Sequence, residues 1–379
     1  MSQDLQLMER PEINDLYKFV MESAPAPETV INGKKYLYFG GVGYYQLHNH
    51  HEVIRAAIDA IRKFGINSAT SISMTGMTRL HFDVERRAAE FFGCDDSVYL
   101  PSGYLTNIAG IQALDDMGVF DTIFMDETAH YCNKDGAYSV NRPVFKYRGT
   151  GDLKLQIRQH LKPHERPLLV TDGIFPTYGE IAQIPELFKL AVEYDGAVWI
   201  DDAHASGILG PNGRGTCDHF HLASDRLFFG STLSKAFGGF GGVIAGRKEF
   251  IQHVRSGNVL KGGSKPTHAA AAASLKGLEI VMHNPKMRED LRNNARSLKD
   301  GLKSLGIPTI DNDVPIAAFS TAHGPDMNRI HEELLKRGIF IQLSRYVGAD
   351  KEGVLRMVVF STHAPAQIHY LIDTLKEIL

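Results

Sequence analysis

The sequence predicts an α/β protein, with a mostly parallel central sheet covered by helices on both faces and a smaller α+β domain after it. Three observations carry that prediction. Between about residues 50 and 280, short apolar runs of strand length alternate with amphipathic stretches of helix length. The apolar runs are near-continuous rather than alternating, as strands buried on both faces must be. After about residue 280 the order changes to a long polar helix, then short strands interleaved with helices.

Taken in order, the first 45 or so residues hold one helix and one strand, KKYLYFG, too little for a core of their own. Residues 1–50 are therefore read as an arm packed onto the rest. HEVIRAAIDAIRKF follows, with Val53, Ile54, Ala57, Ile58, Ile61 and Phe64 on one helix-period stripe. SVYL, DTIFMD, RPLLVTD, GAVWIDD and RLFFGS are the strands of a large domain over 51–280. Several of them end in an acidic or hydroxyl residue, and ligands in such sheets bind beyond the carboxyl ends of the strands. In the small domain, 281–379, a helix from about Pro285 to Leu305 precedes the strands PIAAFS, IFIQL and LRMVVFS.

Bulk properties bound the function. With 379 residues, 43% of them hydrophobic and 22% charged, the chain can bury one large core and a smaller one. A net charge of -3 gives no electrostatic case for nucleic acid or an anionic membrane as partner. No apolar run is long enough to span a membrane, and the acidic start lacks the layout of a signal peptide. Cys94, Cys132 and Cys217 are scattered and odd in number, which suits a reducing, cytoplasmic setting rather than a disulfide framework. Histidines cluster at His48, His50 and His51 without metal-ligand spacing, so no metal site is expected.

Four segments carry chemistry. GSTLSKAFGGFGG places Lys235 between hydroxyls and glycines, directly after a strand. A desolvated lysine amine can form an imine with a carbonyl cofactor. Ser231, Thr232 and Ser234 offer hydroxyls to a phosphate. A surface lysine, or the lysine base of a serine hydrolase, fits the same segment. GAVWIDDAHASG delivers Asp201 to a strand end, with His204 after it. A carboxylate there can pair with a protonated pyridine nitrogen, and the imidazole can bond the ring's phenolic oxygen; a helix cap and a structural histidine are the plain alternative. FMDETAHYCNKDGA offers His130, flat enough to stack on an aromatic cofactor. YLPSGYLTN opens a helix at Ser102, Gly103 and Tyr104, where free backbone N–H groups suit a phosphate. Phosphate loop, stacking histidine, Asp-x-x-His and lysine, each at a strand end, together point to pyridoxal 5′-phosphate (PLP).

TDGIFPTYGEIAQIPEL, VWIDDAHASGILGPNGRGT and GSTLSKAFGGFGG resemble the α-oxoamine synthases, the family of the 8-amino-7-oxononanoate synthases, 2-amino-3-ketobutyrate CoA ligases and serine palmitoyltransferases. The likeness runs over roughly residues 30–375. It implies the PLP-dependent transferase fold, aspartate aminotransferase-like or fold type I, with Lys235 carrying the cofactor and moving the proton at Cα. It further implies Asp201 on the pyridine nitrogen, His204 on the ring oxygen and His130 stacked over the ring. Thr232 and the Gly103–Tyr104 backbone would hold the phosphate. Ser264, in GGSKPT, would reach the phosphate of a neighbouring subunit, because family members are homodimers with shared sites. Arg356, in GVLRMVVFSTHAP, would grip the amino-acid carboxylate.

The chain departs from the family at four places: Pro176 replaces a serine, Val42 an asparagine, Ile72 an arginine, and a longer stretch is compressed into GGSKP. The cofactor machinery is kept and the substrate walls are altered. The expected activity is C-acyl transfer: an α-amino acid condenses with an acyl thioester of CoA or a carrier protein, with or without decarboxylation, to give an α-amino ketone. A PLP-dependent aminotransferase, racemase or lyase on the same fold is the competing enzyme, and a non-catalytic PLP-binding protein the competing class.

Overall fold

The computed structural model describes residues 18–320, 326–349 and 353–379. Before Tyr45 the described residues form two strands, β1 (Glu28–Ile31) and β2 (Lys34–Tyr38), paired antiparallel, and no helix. The turn between them is Asn32-Gly33, both at positive φ (47° and 73°), the conformation that this residue pair tolerates best.

The large sheet has seven strands: β3 (Asp96–Leu100), β4 (Thr122–Asp126), β5 (Val144–Tyr147), β6 (Pro167–Asp172), β7 (Ala197–Asp201), β8 (Leu227–Thr232) and β9 (Gly242–Gly246). Their order is β3-β9-β8-β7-β6-β4-β5. The pairs from β5 through β8 are parallel, while β9 runs antiparallel to both β3 and β8. The five anticipated strands are all present. Two were not anticipated: β5 is a half-exposed edge, and GVIAG in β9 has the glycine content of a loop. Every residue of β6 and β7 is buried, as the unbroken apolar runs required.

The C-terminal region contributes β10 (Ile316–Phe319), β11 (Ile339–Phe340), β12 (Gln342–Ser344) and β13 (Val354–Val358). IFIQL is not one strand. Its first two residues pair parallel with β2, whereas β12 pairs antiparallel with β13. Ile341, fully buried, sits at the crossover between the two sheets. The polar helix forms over Lys286–Ser304 and buries Leu291, Ala295, Leu298 and Leu302, one side of its cylinder.

The helix His51–Phe64 forms as its periodicity predicts, but its stripe faces two ways. Val53 and Ala60 are buried, whereas Ile54, Ile58 and Ile61 are exposed. The described residues therefore cover only part of the apolar face.

Candidate active site

The carboxyl ends of β6, β7 and β8 converge. Register sets Asp172 beside Asp201, and Asp201 beside Gly230. A cavity of about 210 Å³ opens there, lined by Ser102, Gly103, Tyr104, His130, Asp201, His204, Thr232 and Lys235. Residues from four distant segments thus meet in one hollow. Cys132, Asp172, Ile174, Ala203 and Ser234 also line it and were not anticipated. Ser231 does not line it. Thr232 and Ser234 do, with their hydroxyls 2.6 Å apart.

Lys235 reaches the hollow from the turn after β8. Burial pushes its amine pKa down, against the opposing pull of Asp201, Cys132 and Asp172. A neutral amine, the form that attacks a carbonyl, is favoured in this way. Asp201 is held from three sides: Asn107 Nδ2 donates to Oδ2 at 2.8 Å, the Cys132 thiol at 3.0 Å, and Ala203 N–H donates to Oδ1 at 3.0 Å. Asp172, fully enclosed next to it, is pushed far above the carboxylate range by burial and by the charge of Asp201. Its oxygens accept from His130 N–H at 3.0 Å and Asn133 Nδ2 at 2.7 Å.

Two imidazoles flank the hollow. His204 Nδ1 lies 2.7 Å from the Tyr44 hydroxyl, leaving Nε2 for a ligand, and burial pushes its pKa well down. His130 caps the helix Tyr131–Tyr138: its Nδ1 accepts from Cys132 N–H at 3.2 Å. The Cys132 sulfur lies 2.7 Å from the same Nδ1, and its thiol can donate either there or to Asp201; because a backbone N–H can only donate, Nδ1 is assigned no proton and the neutral ring is protonated at Nε2. Burial lowers the pKa of His130 in the same sense. His130 Nε2 lies 2.6 Å from the hydroxyl of Tyr346, a residue of the loop after β12 that the sequence patterns did not single out.

The residues fit PLP. Gly103 faces Thr232 so closely that a Cβ would lie 2.7 Å from the threonine Cβ, so only glycine leaves room between the helix Tyr104–Asp116 and β8. The phosphate end is partly capped already, since Tyr104 N–H donates to Ser102 Oγ at 3.1 Å. A phosphate would have to share that donor. At the other end a fixed carboxylate suits a protonated ring nitrogen, and a desolvated lysine suits the carbonyl.

Ser264 and Arg356 lie outside the lining of the hollow. Ser264 is exposed on the chain surface, next to Lys265, whose buried amine is pinned by Glu85 at 2.7 Å and the Tyr99 carbonyl at 2.6 Å. Arg356, on the central strand β13, is only 9% exposed. Its Nε donates to the Pro176 carbonyl at 2.6 Å, a bond made by backbone and so indifferent to which side chain stands there. Among the described residues the groups that act on it are Tyr44, Tyr38 and Tyr346, with no carboxylate among them. Val42 packs against the core beneath this region, and Ile72 N–H bonds the Gly263 carbonyl at 3.1 Å, tying two of the altered segments together.

The family model for class I and II aminotransferases matches residues 41–375. The chain is 32% identical to the 8-amino-7-oxononanoate synthase of Thermoanaerobacter pseudethanolicus over 91% of this chain and 88% of that one. It is 30% identical to the serine palmitoyltransferase of Sphingobacterium spiritivorum, over 97% of this chain and 93% of that one. Among solved structures, serine palmitoyltransferase from S. paucimobilis with bound PLP and myriocin superposes with a TM-score of 0.89 at 25% identity, covering 98% of this chain and 95% of that one.

Proposed function

Because the chain belongs to the class I and II aminotransferase family, in its PLP-dependent α-oxoamine synthase branch, we propose that it joins an α-amino acid to an acyl thioester and releases the thiol. The observation that carries the reading is Arg356, a buried guanidinium on which no carboxylate acts among the described residues, held against Pro176 and near enough to Lys235 to act on its amine. Such a group is stabilised by an incoming carboxylate, which an amino acid supplies.

PLP supplies a carbonyl that an amine captures and an electron-poor ring that lets Cα give up its proton. The chain's own residues do the rest. With PLP bound, Asp201 would pair with the ring nitrogen, and its three donors fix its position. Lys235, with its amine depressed by burial, takes the proton from Cα. His204 would orient the ring oxygen, His130 would face the ring, and Thr232 with the Gly103–Tyr104 backbone would hold the phosphate. Arg356 orients the amino acid by its carboxylate.

The working unit we propose is a homodimer with shared sites in the cytoplasm. The exposed Ile54, Ile58 and Ile61 on one helix support a second copy as the cover. Ser264, exposed and away from its own cavity, is then available to the partner's phosphate. No described helix is long and apolar enough to cross a membrane.

The test is a panel of amino acids against acyl-CoAs of short and long chain, with free thiol as the readout. Thiol release with one pair names both substrates. Keto acid or racemised amino acid without thiol would instead assign the chain to amino transfer or racemisation. In parallel, borohydride should fix the cofactor mass onto the peptide bearing Lys235, and Lys235→Ala protein should take up none.

A further inference from the structure

Tyr346 reaches across from the C-terminal region to the cofactor hollow. Its hydroxyl lies 2.6 Å from His130 Nε2, and its ring makes edge contacts with Tyr131 at 5.3 Å. The tautomer of His130 decides what this hydroxyl can do. Nδ1 is an acceptor for Cys132 N–H, so the ring's proton is on Nε2 and points at Tyr346. The phenolic oxygen therefore accepts, and its own hydrogen is left to donate elsewhere. Tyr346 is 39% exposed, so solvent reaches it, while its hydroxyl meets His130, a lining residue of the hollow. It bonds His130 and is near enough to Arg356 to act on that guanidinium.

We propose that the Tyr346 hydroxyl, oriented by His130 Nε2–H, donates a hydrogen bond to the acyl carbonyl oxygen of the thioester; the proposal rests on the acyl-transfer reading above. In the bond-forming step the electron pair left at Cα forms the new bond to the thioester carbon, and the carbonyl π pair moves onto oxygen. The O–H of Tyr346 meets that charge without being transferred. When the carbonyl re-forms, the C–S bond breaks and the thiolate leaves with the pair, taking up a proton to give the free thiol. The substrate carboxylate is the rival acceptor for the same O–H. Arg356 already serves it, and Tyr346 is the more exposed of the two.

The experiment compares wild type with Tyr346→Phe, which keeps the ring and removes the hydroxyl, both the donor offered to the thioester and the acceptor for His130 Nε2–H. Two unreactive CoA analogues carry the acyl chain found in the thiol-release panel: a ketone with methylene in place of sulfur, and a thioether without the carbonyl. By calorimetry the ketone should bind the variant about fivefold more weakly, while the thioether stays within about twofold. Thiol release should slow roughly 10- to 100-fold. Exchange of the amino acid's α-proton in D2O without thioester, and the visible spectrum of bound PLP, should not change. Wild-type thiol release by the variant overturns the proposal. So does equal loss of α-proton exchange, which would mark a cofactor role, or weakened amino-acid binding alone, which would assign the O–H to the carboxylate. If the wild type itself releases no thiol with any donor, the acyl-transfer reading fails and the proposal falls with it.

Discussion

Trp199 orients Asn107, and Asn107 in turn holds Asp201. The indole N–H can only donate, and it lies 2.6 Å from Asn107 Oδ1, so the amide presents its NH2 to Asp201 and to the Cys132 sulfur at 3.1 Å. The carboxylate proposed to hold the ring proton thus depends on a residue that never touches the cofactor hollow, since Trp199 is fully buried behind it. Replacing Asn107 by Leu strands the indole N–H and removes one donor from Asp201. Stability should fall by about 1–3 kcal/mol, read by denaturant unfolding, and the pH at which the bound cofactor's absorbance titrates should move. An unmoved titration with lowered stability would make Asn107 structural only. Gly110 belongs to the same arrangement: a Cβ there would sit 1.9 Å from the indole ring, so the helix Tyr104–Asp116 can bring Asn107 close to β7 only with glycine at that turn.

The joint between β2 and the segment after β13 rests on His363. Its ring stacks on Phe39 at 4.6 Å, Nδ1 accepts from Phe360 N–H at 2.8 Å, and Nε2 bonds the Tyr38 carbonyl at 3.2 Å. The ring must be neutral to accept at Nδ1, and burial pushes its pKa down to about 4. Unfolded histidine titrates near 6.5. The folded form therefore binds the proton less readily, so this contribution is whole above pH of about 6.5. It is lost as pH falls toward 4, at up to about 1.4 kcal/mol per pH unit. Unfolding free energies at several pH values in this window should fall less steeply in His363→Gln than in wild type. Equal slopes would show that other groups carry the acid sensitivity.

At the scale of the whole molecule, the exposed row Ile54, Ile58 and Ile61 is the face on which the proposed homodimer would close. Isolated exposed isoleucines need no explanation, but three at helical spacing on one face form a patch. Ile58→Glu should leave the helical content intact and raise the dimer dissociation constant by at least about tenfold. Sedimentation of both proteins over a range of concentrations checks it. A variant that remains dimeric moves the interface elsewhere. Loss of cofactor affinity along with the dimer would agree with a phosphate contact made across it by Ser264.

By itself the sequence determined the strand ends and what stands on them. Lys235, Asp201, His204 and the Ser102–Tyr104 turn were legible because each follows closely on a strand whose carboxyl end is buried. The period of the side chains sets where such a strand stops, and its carboxyl end is where chemistry collects. The tertiary structure alone decided the partners. Asn107 and Tyr346 bear no local signal, since the bonds that bring them to the site span 94 and 216 residues of chain. IFIQL reads as one strand because apolar periodicity is blind to which sheet supplies the next hydrogen bond, and the chain changes sheets at Ile341. The helix His51–Phe64 shows the same limit from the other side: periodicity placed its apolar face correctly, but only packing distinguishes the part its own chain buries from the part left for another. Local pattern fixes backbone conformation through short-range sterics and burial period; contacts between distant residues exist only once the chain has closed on itself.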